Sequence, residues 1–298
     1  MMKGCLKFVW LCLWMSLLTG CIRDEIEPCP PLQIYLAVKD KNYFNVDKVQ
    51  GLEERLDENL PFRDYVPNLY YQLRDAVTGD VLEEQEIPQI DTDEKEFTFS
   101  YCCLPHGKYI VTVWGGMKSL DVLDVSRHTL TFHPHHTQGD DVYMVCDTLV
   151  YDVNTSEHTL QMERTKGKLV VQMLDLPDSV NASSFTTDHL WGQVNRAWEY
   201  TGQTEVEHKA VFGNQADVVE KILLSPSVGA DATVLKTDFF PQESTGMIPV
   251  HHVPGVNITM RRNELTVVRY VYDELQDVFL IYVLVNDNWE QVHKMEIE

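Results

Sequence analysis

What this 298-residue sequence has little of narrows its function before any motif is found. Positive charge is scarce: 24 Lys and Arg stand against 46 Asp and Glu, a formal net charge of −22. Such a surface repels a phosphate backbone and argues against nucleic acid as a partner. No apolar run is long enough to cross a bilayer as a helix, which takes about 20 residues. The most apolar stretch, Phe8 to Leu18, has 11. There is no GxSxG, no HExxH, no phosphate-cradling glycine loop, no EF-hand loop and no CxxC spacing. The expectation is a protein that is not an enzyme and uses no cofactor or metal.

What is there begins with a leader. Lys3 and Lys7 flank the start of the apolar stretch, as in a secretory signal. The stretch ends in Leu18, Thr19, Gly20 and Cys21, which resemble the lipobox of bacterial lipoproteins. In that pattern the chain is cut after Gly20 and Cys21 is the lipid attachment point. A thiolate is the side-chain nucleophile suited to forming the thioether. Each buried methylene contributes about 0.8 kcal/mol and stable anchoring takes two or more chains, so acyl chains such as palmitate on Cys21 would hold the protein to a membrane. Residues 1–20 therefore read as a lipoprotein signal peptide and residues 21–31 as a tether. Asp24 and Glu25 are similar to the acidic stretch of surface-exported lipoproteins in Bacteroidota. Cleavage removes two lysines and no acids, leaving 22 basic against 46 acidic residues in a 278-residue chain, a net charge of −24.

The body reads as strands. "LQIYLAV" alternates Leu32, Ile34, Leu36 and Val38 onto one face, the period of a half-buried strand. Leu69 to Ile87 holds two strand-like runs around "TGD", a hairpin pattern. Further strands are expected at "KEFTFSY", "GKYIVTVWG", "GKLVVQML", "DATVLKTDFF", "VNITMR", "ELTVVRYVY" and "DVFLIYVLVND". Val49 to Leu60 reads as the one acidic surface helix. Short strands without a βαβ rhythm predict an all-β chain of two sandwiches, with domains at 32–160 and 161–298. Cys29, Cys102, Cys103 and Cys146 remain in the body and allow three pairings, from which one disulfide is expected, tying Cys29 into the first domain. On a strand, adjacent Cys102 and Cys103 would point to opposite faces.

"CPPLQIYLAV", then "LPHGKYIVTVWGG" at Leu104 to Gly116, then "MERTKGKLVVQMLDLP" and "IYVLVNDNWEQVHKMEI", taken in order after the lipobox, resemble the fimbrillin-associated anchor lipoproteins of Bacteroidota type V pili. The doubled Cys102–Cys103 and the histidine-rich connection at Phe132 to His136 depart from that pattern. The resemblance implies two transthyretin-like β-sandwiches, lipid-held in the outer membrane at the base of a fimbria. It further implies retention, and length limitation, of a shaft pilin joined by strand addition, in which main-chain hydrogen bonds and side-chain pockets together make the interface.

Other readings rest on single features. "HPHH" at His133 to His136, near Asp140 and Asp141, and the neighbours His251 and His252 match no zinc spacing. Gln89 to Glu96 has paired carboxylates but lacks the glycine and closing glutamate of a calcium loop, so a solvated charge run is the expectation. Trp191, Trp198 and Tyr200 are the candidates for stacking sugars, which would make the chain a surface glycan-binding lipoprotein. An accessory or tip adhesin on the same fold is the third reading. Thr148 and Ser179 lie in short patterns similar to Bacteroidota O-glycosylation signals.

Overall fold

A computed structural model describes residues 30–49, 51–230, 232–241, 248–285 and 288–294, without the side chains of His252, Val285, His293 and Lys294. Gly20, Cys21 and Cys29 lie outside the described residues. The described residues are all β apart from short 3-10 turns and one helical turn, α1 (Phe62–Tyr65). No described helix is long and apolar enough to cross a membrane.

The first sandwich uses β1 (Leu32–Val38), β2 (Leu69–Asp75), β3 (Val81–Ile87), β4 (Phe97–Tyr101), β5 (Gly107–Gly115), β8 (Tyr143–Tyr151) and β9 (Glu157–Arg164). Their order is β3-β2-β5-β8-β9-β1-β4, with β1 parallel to β9. β8 and β9 join through only two residue pairs, Tyr143↔Arg164 and Met144↔Glu163. The ribbon therefore folds over at that point into two facing layers. Leu32, Ile34, Leu36 and Val38 of β1 meet Tyr109, Val111 and Val113 of β5 between them, all buried. Burying each such side chain contributes roughly 1.5–3 kcal/mol. The inward alternation of β1 and β5 and the β2–β3 hairpin are as the sequence predicts.

The second sandwich pairs a sheet of β10 (Gly167–Leu174), β13 (Val218–Leu224), β16 (Leu265–Asp273), β17 (Val278–Val285) and β18 (Asn288–Lys294) with one built on β11 (Ala182–Asn195), β12 (Tyr200–Val211), β14 (Thr233–Phe240) and β15 (His251–Ile258). Their orders are β13-β10-β16-β17-β18 and β15-β14-β11, with β12 on the other side of β11. Phe239 stacks on Phe279 at 4.4 Å in the core between the two sheets.

Three expectations need correction. First, Val49 to Leu60 is not helical: Val46, Val49 and Leu52 dock irregularly on Val170, Leu265 and Val267 of the second sandwich. Glu53 ties the segment down by pairing with Lys168 at 2.6 Å and Lys221 at 2.8 Å. Burial against another domain overrides helix propensity here. Second, a boundary at residue 160 cuts β9, which hydrogen-bonds to β1 through Met162 and runs to Arg164. The long β5–β8 connection also crosses over: β6 (Leu123–Asp124) and β7 (Thr129–Thr131) extend the second sandwich by pairing β7 with Gln193 to Asn195 of β11. Third, Cys102 and Cys103 are not in a strand. β4 stops at Tyr101, Cys103 takes a left-handed φ of 66°, and both thiols are exposed in the β4–β5 turn. Among the described residues no disulfide is formed; Cys102, Cys103 and Cys146 are free thiols.

Candidate partner-binding groove

The two ends of the first sandwich differ. Antiparallel pairing sets Asp75 beside Tyr109 and Gly107 beside Tyr151, and Leu32 lies opposite Tyr101. The β2–β3, β4–β5 and β8–β9 turns thus gather at one end with the start of β1. Pro30 is fixed there by Tyr151, whose hydroxyl donates to the Pro30 carbonyl at 2.7 Å. The opposite end, where β5 and β9 finish, carries the second sandwich.

That junction is a dense polar seam. Arg164, at the end of β9, is 4% exposed. Its Nε donates to both carboxylate oxygens of Asp141 at 3.0 Å, and Nη1 donates to Asn263 at 2.8 Å. The guanidinium also lies 4.2 Å from the Tyr43 ring centre. Burial works against this charge, but Asp141 and the hydrogen bonds outweigh it and hold the guanidinium firmly protonated. Two residues on, Lys166 is buried and donates to the carbonyls of Phe132 at 2.8 Å and Gln138 at 2.6 Å. Burial pushes its ammonium down to about 7, against the pull of Asp141 and Asp140. Two glycines allow the approach. Gly116 has φ +85°, and a Cβ there would stand 2.4 Å from the Asp141 carbonyl; Gly139 has φ +64°, and its Cβ would meet Lys166 Nζ at 2.8 Å.

The histidine-rich connection belongs to this seam. Ser225 donates its backbone N–H to His133 Nε2 at 3.0 Å, so Nδ1 carries the proton and donates to the Thr137 carbonyl at 2.9 Å. Burial, with Lys166 nearby, holds His133 neutral, its value lowered to about 3. His128 is likewise lowered to about 4 by burial and by Arg74 and Arg196. Among the described residues no three His, Cys, Asp or Glu side chains gather as a metal would need. His251 packs on the Phe279 and Tyr272 rings at 5.4 and 5.7 Å.

The candidate sugar platform is not assembled. Trp198 lies under the Arg262 guanidinium at 4.5 Å, Tyr200 stacks on Phe132 at 5.9 Å, and both pack on the seam's apolar cluster. Trp191 is half-buried on β11. Gln89 to Glu96 is an acidic loop, mostly exposed, in which Asp93 pairs with Arg63. Thr148 and Ser179 are exposed.

Beside the seam the second sandwich is open. β15 ends one sheet and β18 ends the other, and neither edge is bonded to another described strand. Between them lies a groove of about 550 Å³, lined by Phe44, Ile258, Thr266, Val283, Leu284 and Val292 among others. Phe44 is 76% exposed. It is held out because its neighbours are clamped: its own N–H donates to the Asn263 carbonyl at 2.9 Å, and Asn45 bonds both the N–H and the carbonyl of Leu265 at 2.8 Å. Each edge strand departs from regular pairing, β15 carrying Pro254 and Gly255 beside a register shift and β18 a shift at Tyr282. Such features restrain promiscuous edge pairing while leaving backbone groups available to a matched strand. Sequence periodicity did not point to this groove, since it is made by edges 30 residues apart and by a loop from the other sandwich.

No protein-family model and no curated protein matches the chain. Among solved structures it is similar to a candidate adhesin from Bacteroides thetaiotaomicron, with a TM-score of 0.57 and 12% identity over 90% of this chain and 100% of that one. It is also similar to a candidate polysaccharide-binding protein from the same organism, with a TM-score of 0.56 and 12% identity over 89% and 98% of the two chains. The fimbrial anchor protein Mfa2 from Porphyromonas gingivalis aligns over 89% and 100%, with a TM-score of 0.49 and 10% identity. At identities this low the comparison fixes the fold: an all-β, two-sandwich architecture found in Bacteroides surface-adhesion candidates.

Proposed function

We propose that this chain is an outer-membrane lipoprotein that anchors a fimbria, tied to the membrane through lipid on Cys21 and holding a fimbrial subunit in the β15–β18 groove by strand addition. The observation that carries the reading is the polarity of the molecule. The chain leaves the first sandwich at Pro30, at the end away from the second sandwich, while the groove between the β15 and β18 edges belongs to the second sandwich. A nine-residue link from Cys21 to Pro30 spans at most about 32 Å. That leaves the first sandwich as a stalk near the membrane and the groove beyond it.

The lipobox pattern and the ordered motifs after it support the same reading, as does the fold shared with adhesion candidates. The groove combines exposed apolar side chains with two sheet edges that no other described strand pairs, the two elements that strand addition uses. No catalytic group has a part in this function. A glycan-binding role would need another surface, because Trp198 and Tyr200 are committed to packing at the seam.

The test is Cys21→Ala in the native cell, followed by fractionation and electron microscopy of the filaments. Release of filaments into the medium is the expected result. Retention at normal number would remove the anchor reading and put an accessory adhesin in its place.

A further inference from the structure

In this acid-rich chain Arg55, Arg63, Arg127, Arg164, Arg261 and Arg262 each pair with an Asp or Glu. Arg269 does not. Its neighbours Val268 and Tyr270 face the second core, so Arg269 stands half-buried on the opposite face of the sheet, paired with no described carboxylate. Its guanidinium is nonetheless fixed twice. Nε donates to Gln172 Oε1 at 2.7 Å, and the guanidinium carbon lies 3.6 Å from the centre of the Trp289 ring. Trp289 packs in turn on the cluster of Val49, Val170 and Val267. Neither Nη nitrogen has a described acceptor. Burial holds the charge below the usual arginine value, with Tyr282 acting against that.

The residues around it form a row. Pairing sets Gln172 beside Arg269, Arg269 beside Tyr282 and Tyr282 beside Gln291, one residue from each of β10, β16, β17 and β18. Three strand spacings make the row about 14 Å long. Two residues further along the same face, Leu174, Val271 and Leu280 make a second, apolar row, each half-buried. On the other side Val170, Val267 and Leu284 lie under the Tyr43 to Leu52 segment. One half of the face is thus covered by the chain itself, and the half with Arg269 keeps its side chains partly exposed.

We propose that this uncovered half binds a sugar acid, with the Arg269 fork on its carboxylate, Gln172, Tyr282 and Gln291 on its hydroxyls, and the Leu174, Val271 and Leu280 row under its C–H faces. A planar fork held at both its stem and its face matches a carboxylate bidentately and loses little freedom in doing so. Polar groups beside an apolar row give both kinds of contact that an amphipathic ring offers. The net charge of −22 narrows the ligand further, because it repels a polyanion. The ligand is therefore a short oligosaccharide with one carboxylate.

The experiment is titration calorimetry of the full mature chain with matched probes. These are 3′-sialyllactose against lactose, and a glucuronate-terminated trisaccharide against its glucose-terminated match, with acetyl-Gly-Glu-Gly-amide as the carboxylate without a sugar. The expected result is binding of an acidic sugar about tenfold tighter than its neutral match and the peptide. Arg269→Gln should erase that preference. Val219 is 40% exposed and pairs with Gln172 at the end of the row, so Val219→Glu adds a like charge without disturbing the core. It should weaken the acidic sugar about threefold at an unchanged melting temperature, which separates loss of the site from loss of the fold. Equal binding of acidic and neutral sugars, binding of neither, or a peptide as tight as the sugar acid would each overturn the proposal. An acidic sugar bound equally by the parent and both variants would overturn it as well. None of these outcomes depends on whether the protein anchors a fimbria.

Discussion

The two sandwiches solve the same packing problem but differ in how their two layers meet along one side. Each has one parallel pair, β1 with β9 and β10 with β16, at the middle of a sheet. In the first, a two-pair contact between β8 and β9 joins the layers and closes that side. In the second, the corresponding freedom is left: β15 and β18 face one another across the groove without joining. The first sandwich still ends in the edge strands β3 and β4, but only in the second do two edges flank a groove, the arrangement that strand addition can use. The seam between them combines the buried Arg164 and Lys166 with the short β7–β11 pairing.

The strongest way to break that contrast is at the seam. Asp141→Ala leaves Arg164 charged, buried and without its carboxylate, a loss of about 3 kcal/mol once the partial exposure of Asp141 is allowed for. Calorimetry should then show two thermal transitions where the parent shows one. A single unshifted transition would mean that the sandwiches are coupled by their apolar contacts alone.

Acid and alkali sharpen the same point. His128 and His133 are neutral in the folded chain, with values lowered to about 4 and about 3 from an ordinary 6.5. Below pH 6.5 the unfolded chain takes up protons that the folded chain refuses, so stability falls as pH drops. The slope is about 1.4 kcal/mol per pH unit for each imidazole. Lys166 runs the same direction on the alkaline side. Its folded value near 7 lies below the ordinary 10.5, so the unfolded chain is the more protonated between those values and stability rises with pH across them. Urea midpoints from pH 4 to 10 test both, and Lys166→Met should flatten only the alkaline part.

The groove should respond in binding and not in stability. Phe44→Asp touches an exposed ring, so unfolding should move by about 0.5 kcal/mol or less. Affinity for the fimbrial partner should fall about tenfold, equivalent to ~1.4 kcal/mol. The smallest effect belongs to surface ion pairs. Arg55→Ala removes contacts with Asp47 and Glu58 on an exposed loop, and an unchanged urea midpoint is expected.

Strands with a clean period were legible before any coordinates: "GKYIVTVWG" and "GKLVVQML" match β5 and β10 residue for residue. β11 and β12 are not legible in this way because a bulge between Thr187 and Leu190 and the polar run after Tyr200 blur the alternation. The helix expected at Val49 to Leu60 failed because its apolar residues serve another domain, a long-range fact that local pattern does not carry. His133 and Tyr200 could be singled out by type, but their roles depend on Ser225 and Phe132, 92 and 68 positions away in the chain. The lipid attachment proposed at Cys21 is the reverse case, since its signal lies wholly in the local sequence Leu18 to Cys21.

The most direct measurement places a photo-crosslinking residue at Val292, on the edge strand lining the groove, in cells that assemble filaments. Irradiation should join this chain to a fimbrial subunit, with the same residue at Val77, in a turn at the opposite end of the molecule, giving no such adduct. Intact filaments with no adduct at Val292 would contradict the groove as the place where the fimbria is held.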